Sequence, residues 1–146
     1  MGYGLRTLTV IKIIKPSHPI LSYPNNYYPV FTKHLFSTKG STALSYLKDR
    51  GLSLDTVKEF KLGLSPSKND DLVLFLKAEG YEEQYIEKAG LAFRPENKPL
   101  VDRFRNRVMF PISNLDDRVV AFGGRSLNTE YGAKYINSAE TKIFKK

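Results

Sequence analysis

Three arginines, Arg103, Arg105 and Arg107, occupy alternate positions of a segment that also carries Val101, Phe104 and Val108. In extended backbone that spacing puts three guanidiniums on one side. A guanidinium grips a phosphate through two parallel N–H groups, so a row of them suits a sugar–phosphate backbone. The same alternation also describes a solvated strand face, or arginines paired with Asp102 and other acids inside the fold. Gly123-Gly124-Arg125 sets a flexible turn beside a cation, and two glycines let a ligand or a second backbone come close. The Gly-Lys-Ser/Thr of a phosphate-cradling loop does not follow, and a tight β turn explains the pair equally well. Lys134, Tyr135 and Asn137 gather a cation, a ring and an amide within four residues. That mixture suits single-stranded nucleic acid, where charge holds the backbone and a ring stacks on a base. An ordinary strand with Ile136 and Tyr135 buried has the same spacing.

Other chemistries find no support. The chain has no Cys, which excludes thiolate metal sites, disulfides and Cys nucleophiles. No zinc motif and no Ser-His-Asp set is visible. His18 and His34 both lie in a proline-rich stretch and receive no role. Asp116-Asp117 reads as turn chemistry rather than a metal pair.

Charge sharpens the partner class. The net charge is +8 over 146 residues. Residues 1–40 hold five basic and no acidic side chains, residues 41–100 nine and ten, and residues 101–146 nine and five. The excess therefore sits at the two ends, where Lys142, Lys145 and Lys146 close the chain. Clustered cations displace counterions from a polyanion, although a basic soluble protein needs no such partner. No apolar run reaches the roughly 18 residues of a membrane span. Residues 8–14 faintly resemble a signal peptide, but Lys12 interrupts them and no small-residue cleavage site follows. The expected location is the cytoplasm, with no membrane partner.

These residues must be positioned by surrounding elements. Residues 7–14 read as one strand. Pro16, Pro19, Pro24 and Pro29 then argue against regular structure, so residues 1–40 read as an extended, partly disordered leader, and residues 37–42, rich in Ser, Thr and Gly, read as a linker. Four short helices follow. Ser41 or Thr42 starts the first, with Ala43, Leu44 and Leu47 on its apolar face and Gly51 at its end. Ser53 caps the second, carrying Leu54, Val57 and Phe60. Asn69 or Asp70 starts the third, with Leu72, Leu74, Phe75 and Leu76, closed by Gly80. Residues 82–88 make the fourth, closed by Gly90. Residues 107–112 and 118–122 then read as a hairpin around Asn114-Leu115-Asp116-Asp117, with Pro111 marking an edge or bulge and Gly123-Gly124 ending the second strand sharply. Residues 134–137 suggest a third strand. The fold class is α+β, with short N-terminal helices followed by a small mixed or antiparallel sheet.

Read in order, several strings resemble one family. ALSYLKDRGL (residues 43–52), FKLGLSP (60–66), AGL (89–91), DRFRNRVMFPI (102–112), RVVAFGGR (118–125) and KYINSAETKIF (134–144) are similar to ordered motifs of bacterial DnaG-type DNA primases. The resemblance covers residues 41–146 and implies the N-terminal subdomain of the catalytic core, with residues 1–40 unassigned. It implies RNA primer synthesis on single-stranded DNA, a DNA-directed RNA polymerase (nucleotidyltransferase) reaction of DNA replication. In such enzymes a zinc-binding module precedes this subdomain. A TOPRIM subdomain follows it and holds Mg²⁺ on carboxylates. A tail meets the replicative helicase. The motifs of those parts are not found here. The resemblance thus implies a chain that is inactive alone, binds no metal itself and works with a separate TOPRIM-containing chain. Alternatives are a stand-alone single-stranded nucleic-acid-binding module and a non-functional gene remnant. Residue by residue, the resemblance implies that Arg50, Arg125, Lys134, Tyr135, Asn137 and Lys146 line a groove for template, RNA–DNA hybrid or nucleotide phosphates, with Arg105 and Arg107 sharing that face. Ala133 and Ala139 stand where the family has Pro, and Asp117 stands where it often has Gly.

Overall fold

The computed structural model describes residues 27–127 and 132–138. Its first element is α1, Tyr28–Leu35, which buries Pro29, Phe31 and Leu35. This helix falls in the stretch that the proline pattern assigns to a disordered leader. Pro29 sits in the first turn, where a helix has no use for its missing N–H, and no further proline follows until Pro66. Residues 27–40 therefore belong to the folded body. The strand expected at residues 7–14, three of the prolines and His18 lie outside the described residues.

The four expected helices are present. α2, Ser41–Asp49, buries Ala43 and Leu47, and Gly51 follows it at φ +88°. Its cap is Gly40, with no side-chain bond from Ser41 or Thr42. A Cβ on Gly40 would lie 1.7 Å from the Leu35 carbonyl oxygen, so glycine here lets α1 and α2 meet. α3, Leu54–Glu59, is capped as expected: Ser53 Oγ accepts from the Thr56 amide at 3.1 Å. Only Val57 of this helix is buried. α4, Asp71–Ala78, buries Leu72, Val73 and Leu76 and leaves Leu74 and Phe75 exposed. α5 is Glu83–Lys88.

Antiparallel strands complete the α+β fold. β1, Gly63–Leu64, β4, Arg107–Ser113, β5, Val119–Ser126, and β6, Tyr135–Asn137, form one sheet in the order β1-β4-β5-β6. β2, Ala92–Phe93, pairs with β3, Val101–Asp102, in a second. The expected hairpin is β4–β5. Asn114 Oδ1 ties its turn by accepting from the Asp116 and Arg118 amides. Pro111 is tolerated because β1 pairs only with Val108 and Met109, leaving that edge of β4 open beyond them. β1 has no counterpart among the expected strands, because two residues that include a glycine are too short to show an alternating pattern. A Cβ on Gly63 would lie 2.5 Å from Phe31 Cβ, so the glycine admits α1 onto the sheet.

Gly123 and Gly124 correct a second expectation. They do not end β5. They lie inside it, paired with Phe110 and Met109 on one side and with Asn137 and Ile136 on the other.

Strand parity divides the molecule. Val108, Phe110, Gly123, Arg125, Tyr135 and Asn137 share one face, because each is cross-paired with another of the set. Arg107, Met109, Phe122, Gly124 and Ile136 belong to the opposite face. Each face has its own core. Val108, with Leu35, Ala43, Leu47, Val57 and Leu64, packs on the first. Met109 and Phe122, with Phe31, Leu72, Ile86 and Phe104, pack on the second. Phe31 meets Phe122 edge-on at 5.1 Å, a favoured ring geometry.

Candidate nucleic-acid interface

On the first face, β5 and β6 carry Arg125, Tyr135 and Asn137. Arg125 is the cross-strand partner of Tyr135, and Asn137 that of Gly123. The missing side chain of Gly123 decides the local geometry. A Cβ there would lie 1.9 Å from the Tyr135 hydroxyl and 3.2 Å from Asn137 Oδ1, so the tyrosine ring extends over bare backbone. Phe110 lies 6.4 Å from it, ring to ring. Tyr135 still keeps 47% of its surface exposed, enough to stack on a base. Arg125 is half-buried, and its Nε is buried without a hydrogen-bond partner among the described residues. Such a donor stays costly until something accepts from it.

α2 packs against the same face through the core that includes Val108, with Tyr46 and Phe110 at its margin. Arg50, the residue that ends α2, stands over the Tyr46 ring at 5.1 Å. Lys134 precedes β6 and is exposed. Among the described residues the ion pairs are Lys77–Glu83 and Arg94–Glu83. Arg50, Arg125 and Lys134 therefore have no carboxylate partner there. Lys146 lies outside the described residues.

The alternating arginines sit elsewhere. Arg107 points to the opposite face, where a Cβ on Gly124 would lie 3.0 Å from its Cδ. Arg107 is buried, and its guanidinium donates to the carbonyls of Gly124 at 3.1 Å and Ala133 at 2.8 Å. Arg103 donates through Nε to the Asn137 carbonyl at 3.1 Å. Burial pulls both guanidiniums below their ordinary pKa, and for Arg107 the Arg105 charge adds to this. Both tie β6 to the body of the fold. Arg105 is exposed and donates to Asn69 Oδ1. The three do line one cleft, together with Ser67, Asn106 and Ser126. Strict alternation fails at Asn106, whose φ is +52°.

Asp102 is not the arginines' partner either. Its carboxylate is fully buried and accepts from the Leu72 and Val73 amides at 2.9 and 3.0 Å. It caps α4 from thirty positions away in the chain. Burial pushes its pKa up to about 6, against the opposing pull of these two hydrogen bonds.

Three contributors escaped the sequence reading. Phe110 flanks Tyr135, Asn69 holds Arg105, and Ser65 Oγ accepts from the Arg107 amide at 3.0 Å. The hairpin register could have revealed the first, since Phe110 opposes Gly123. The other two depend on tertiary contacts that leave no local pattern.

Residues 30–146 match the family described as DNA primase catalytic core, N-terminal domain. The chain belongs to this family. The primase of Listeria monocytogenes is 41% identical over 108 residues, and that of Clostridium acetobutylicum is 44% identical over 106. These alignments take in 74% and 73% of this chain but only 17% of either relative. The chain thus spans about a sixth of their length. Among solved structures, the RNA polymerase domain of Mycobacterium tuberculosis primase DnaG, in complex with a double-stranded DNA oligomer with a 6-nucleotide overhang, superposes with TM-score 0.79 at 31% identity. The match covers 89% of this chain and 41% of that one. A DnaG primase catalytic domain bound to ssDNA gives 0.76 at 33% identity, over 86% and 39% of the two chains. The primase family match begins at Val30, inside α1, in line with the folded boundary found above.

Proposed function

We propose that this chain forms the cationic wall of a primase active centre, holding single-stranded template or primer–template hybrid during RNA primer synthesis. One observation carries the reading. Arg125, Tyr135 and Asn137 share a sheet face that places a guanidinium donor, unpaired among the described residues, beside an exposed ring. That is the combination a single strand needs, since phosphates take the charge and bases take the ring. Arg50 and Lys134 add cations without carboxylate partners among the described residues. Both solved structures named above are complexes with DNA.

Phosphoryl transfer depends mainly on positioning and charge neutralisation. This face supplies positioning. The family resemblance calls for Mg²⁺ as well, but among the described residues no three His, Asp or Glu gather as a metal could use them. The described residues do not fit the ion, and it takes no step in this proposal. In this proposal the metal belongs to a TOPRIM subdomain and the site of action is the cytoplasm. Among the described residues, no helix is long and apolar enough to cross a membrane.

The test is fluorescence anisotropy with labelled oligothymidylate, beside a priming assay with ribonucleotides and Mg²⁺. Wild-type chain should bind the oligonucleotide and make no primer alone. Arg125→Ala and Lys134→Ala should each weaken binding several-fold and flatten its salt dependence by about 0.7 for each phosphate no longer neutralised. Unchanged affinity in both variants would remove the interface assignment, and robust primer synthesis by the chain alone would overturn the division of labour.

A further inference from the structure

A wide groove of about 870 Å³ runs between α1 and α4 beside Leu64 of β1, the strand at the opposite edge of the sheet from β6. Its rim carries Lys33 and Lys39 from α1 and the turn after it, and Lys68 from the loop before α4. All three are exposed, and none is ion-paired among the described residues. Asp71 and Glu79 also line the groove and offset part of this charge. Apolar surface from the partly exposed Val30 and Pro66 adjoins it, and Phe75 presents a half-exposed ring at its edge.

The groove is not isolated. Ser67 and Asn106 line both it and the arginine cleft of about 490 Å³ described above. The two depressions meet at that pair and form one path. Arg105 stands in the second of them, steadied by Asn69 from the same loop as Lys68. The cleft in turn adjoins β6, because Arg107 donates to the Ala133 and Lys134 carbonyls. Cations thus recur along one open path, with a ring at its far part. An enclosed small-molecule site would look different: it would surround its ligand and converge a few fixed polar groups on it. Repeated charges with interspersed apolar surface match an extended polyanion whose bases face the protein.

We propose that this path is a second segment of the nucleic-acid track, in which a single strand leaving Lys134 passes Arg105, crosses Ser67 and Asn106, and lays phosphates on Lys68, Lys33 and Lys39 with a base against Phe75. The choice of ligand rests on the nucleic-acid reading above, and the location does not.

The experiment uses the full chain and two labelled oligothymidylates of about 4 and about 16 nucleotides, the range that single-strand-binding folds occupy. The triple variant Lys33→Ala/Lys39→Ala/Lys68→Ala should bind the longer strand at least about tenfold more weakly at low salt. Its salt slope should fall by about 2, because three phosphates go unneutralised at about 0.7 each. Lys→Arg at the same positions should restore both. Phe75→Ala should weaken the longer strand with its salt slope unchanged. A triple variant that matches wild type on the longer strand, in affinity and in slope, overturns the proposal. So does a nucleoside triphosphate that displaces the longer strand with comparable affinity and loses its own binding in the triple variant, since the groove is then a mononucleotide pocket. The double variant Arg125→Ala/Lys134→Ala separates the two readings. Loss of the shorter strand in the double variant, with loss of only the longer one in the triple, supports both. An effect of the triple alone keeps the groove and removes the Tyr135 face, and wild-type chain that binds neither length removes both.

Discussion

A methyl group added at Gly123 has different consequences from one added at Gly124. At Gly123 the new Cβ meets the Tyr135 hydroxyl, the far end of an exposed side chain that swings away at little cost. Gly in a strand interior is itself unfavourable by roughly 0.5–1 kcal/mol against Ala. Gly123→Ala should therefore leave folding stability within about 1 kcal/mol of wild type, while it expels the ring and weakens oligothymidylate binding. At Gly124 the Cβ would meet Phe104 Cδ1 at 2.8 Å and Arg107 Cδ at 3.0 Å, and both side chains are buried. Overpacking of that kind costs about 1–3 kcal/mol. Gly124→Ala should show that loss in urea unfolding. Equal stability losses in the two variants would mean that Tyr135 is held as firmly as Phe104, and the picture of an available ring would fail.

Elements are joined here by polar groups far apart in sequence, and Asp102 is the clearest case. It caps α4 through two amides while remaining fully buried. Its pKa stands at about 6 in the fold against an ordinary 3.8. Between about pH 4 and about pH 6 the folded chain holds a proton that the unfolded chain has released, so stability falls as pH rises through this window. The full effect is at most about 3 kcal/mol. Asp102→Asn keeps one oxygen for capping and removes the titration. The stability of wild type minus that of Asp102→Asn, from urea unfolding at several pH values, should decline across the window and level off above it. A flat difference would show that the capping bonds offset the burial completely. The helices were readable from sequence because caps and left-handed glycines are local signals: Ser53, Gly51, Gly80 and Gly90 each stand where the pattern put them. The hairpin was readable for the same reason. The role of Asp102 was not, because nothing near it in sequence marks a helix thirty positions earlier. Gly123-Gly124 was misread on local grounds, since glycine pairs usually break strands, and only the tertiary crowding by Tyr135 and Phe104 explains them. The candidate residues were legible as types. Their division between two faces was not, because it follows from register.

At the scale of the whole molecule, the sheet is a partition with a core on each side, and α1 contributes to both. Phe31 packs on the Phe122 side and Leu35 on the Val108 side. Tyr27, just before the helix, is fully buried against Tyr81 at 5.2 Å between rings. A domain beginning at Ser41, as the motifs alone suggest, would lack all three. Burying a large apolar side chain stabilises by about 1.5–3 kcal/mol, so three of them represent roughly 5–9 kcal/mol. That compares with a typical total stability of about 5–15 kcal/mol. The loss would also uncover Gly63 and the sheet edge that α1 covers. A chain covering residues 41–146 should therefore lose most of its cooperative urea transition and bind oligothymidylate poorly, although every candidate cation on the Tyr135 face is retained. Circular dichroism and amide hydrogen exchange would follow the fold, and anisotropy the binding. If the shortened chain unfolds at the wild-type midpoint, α1 is an accessory and the core can close without it. If it unfolds early yet still binds at full strength, the interface does not need the partition that positions it.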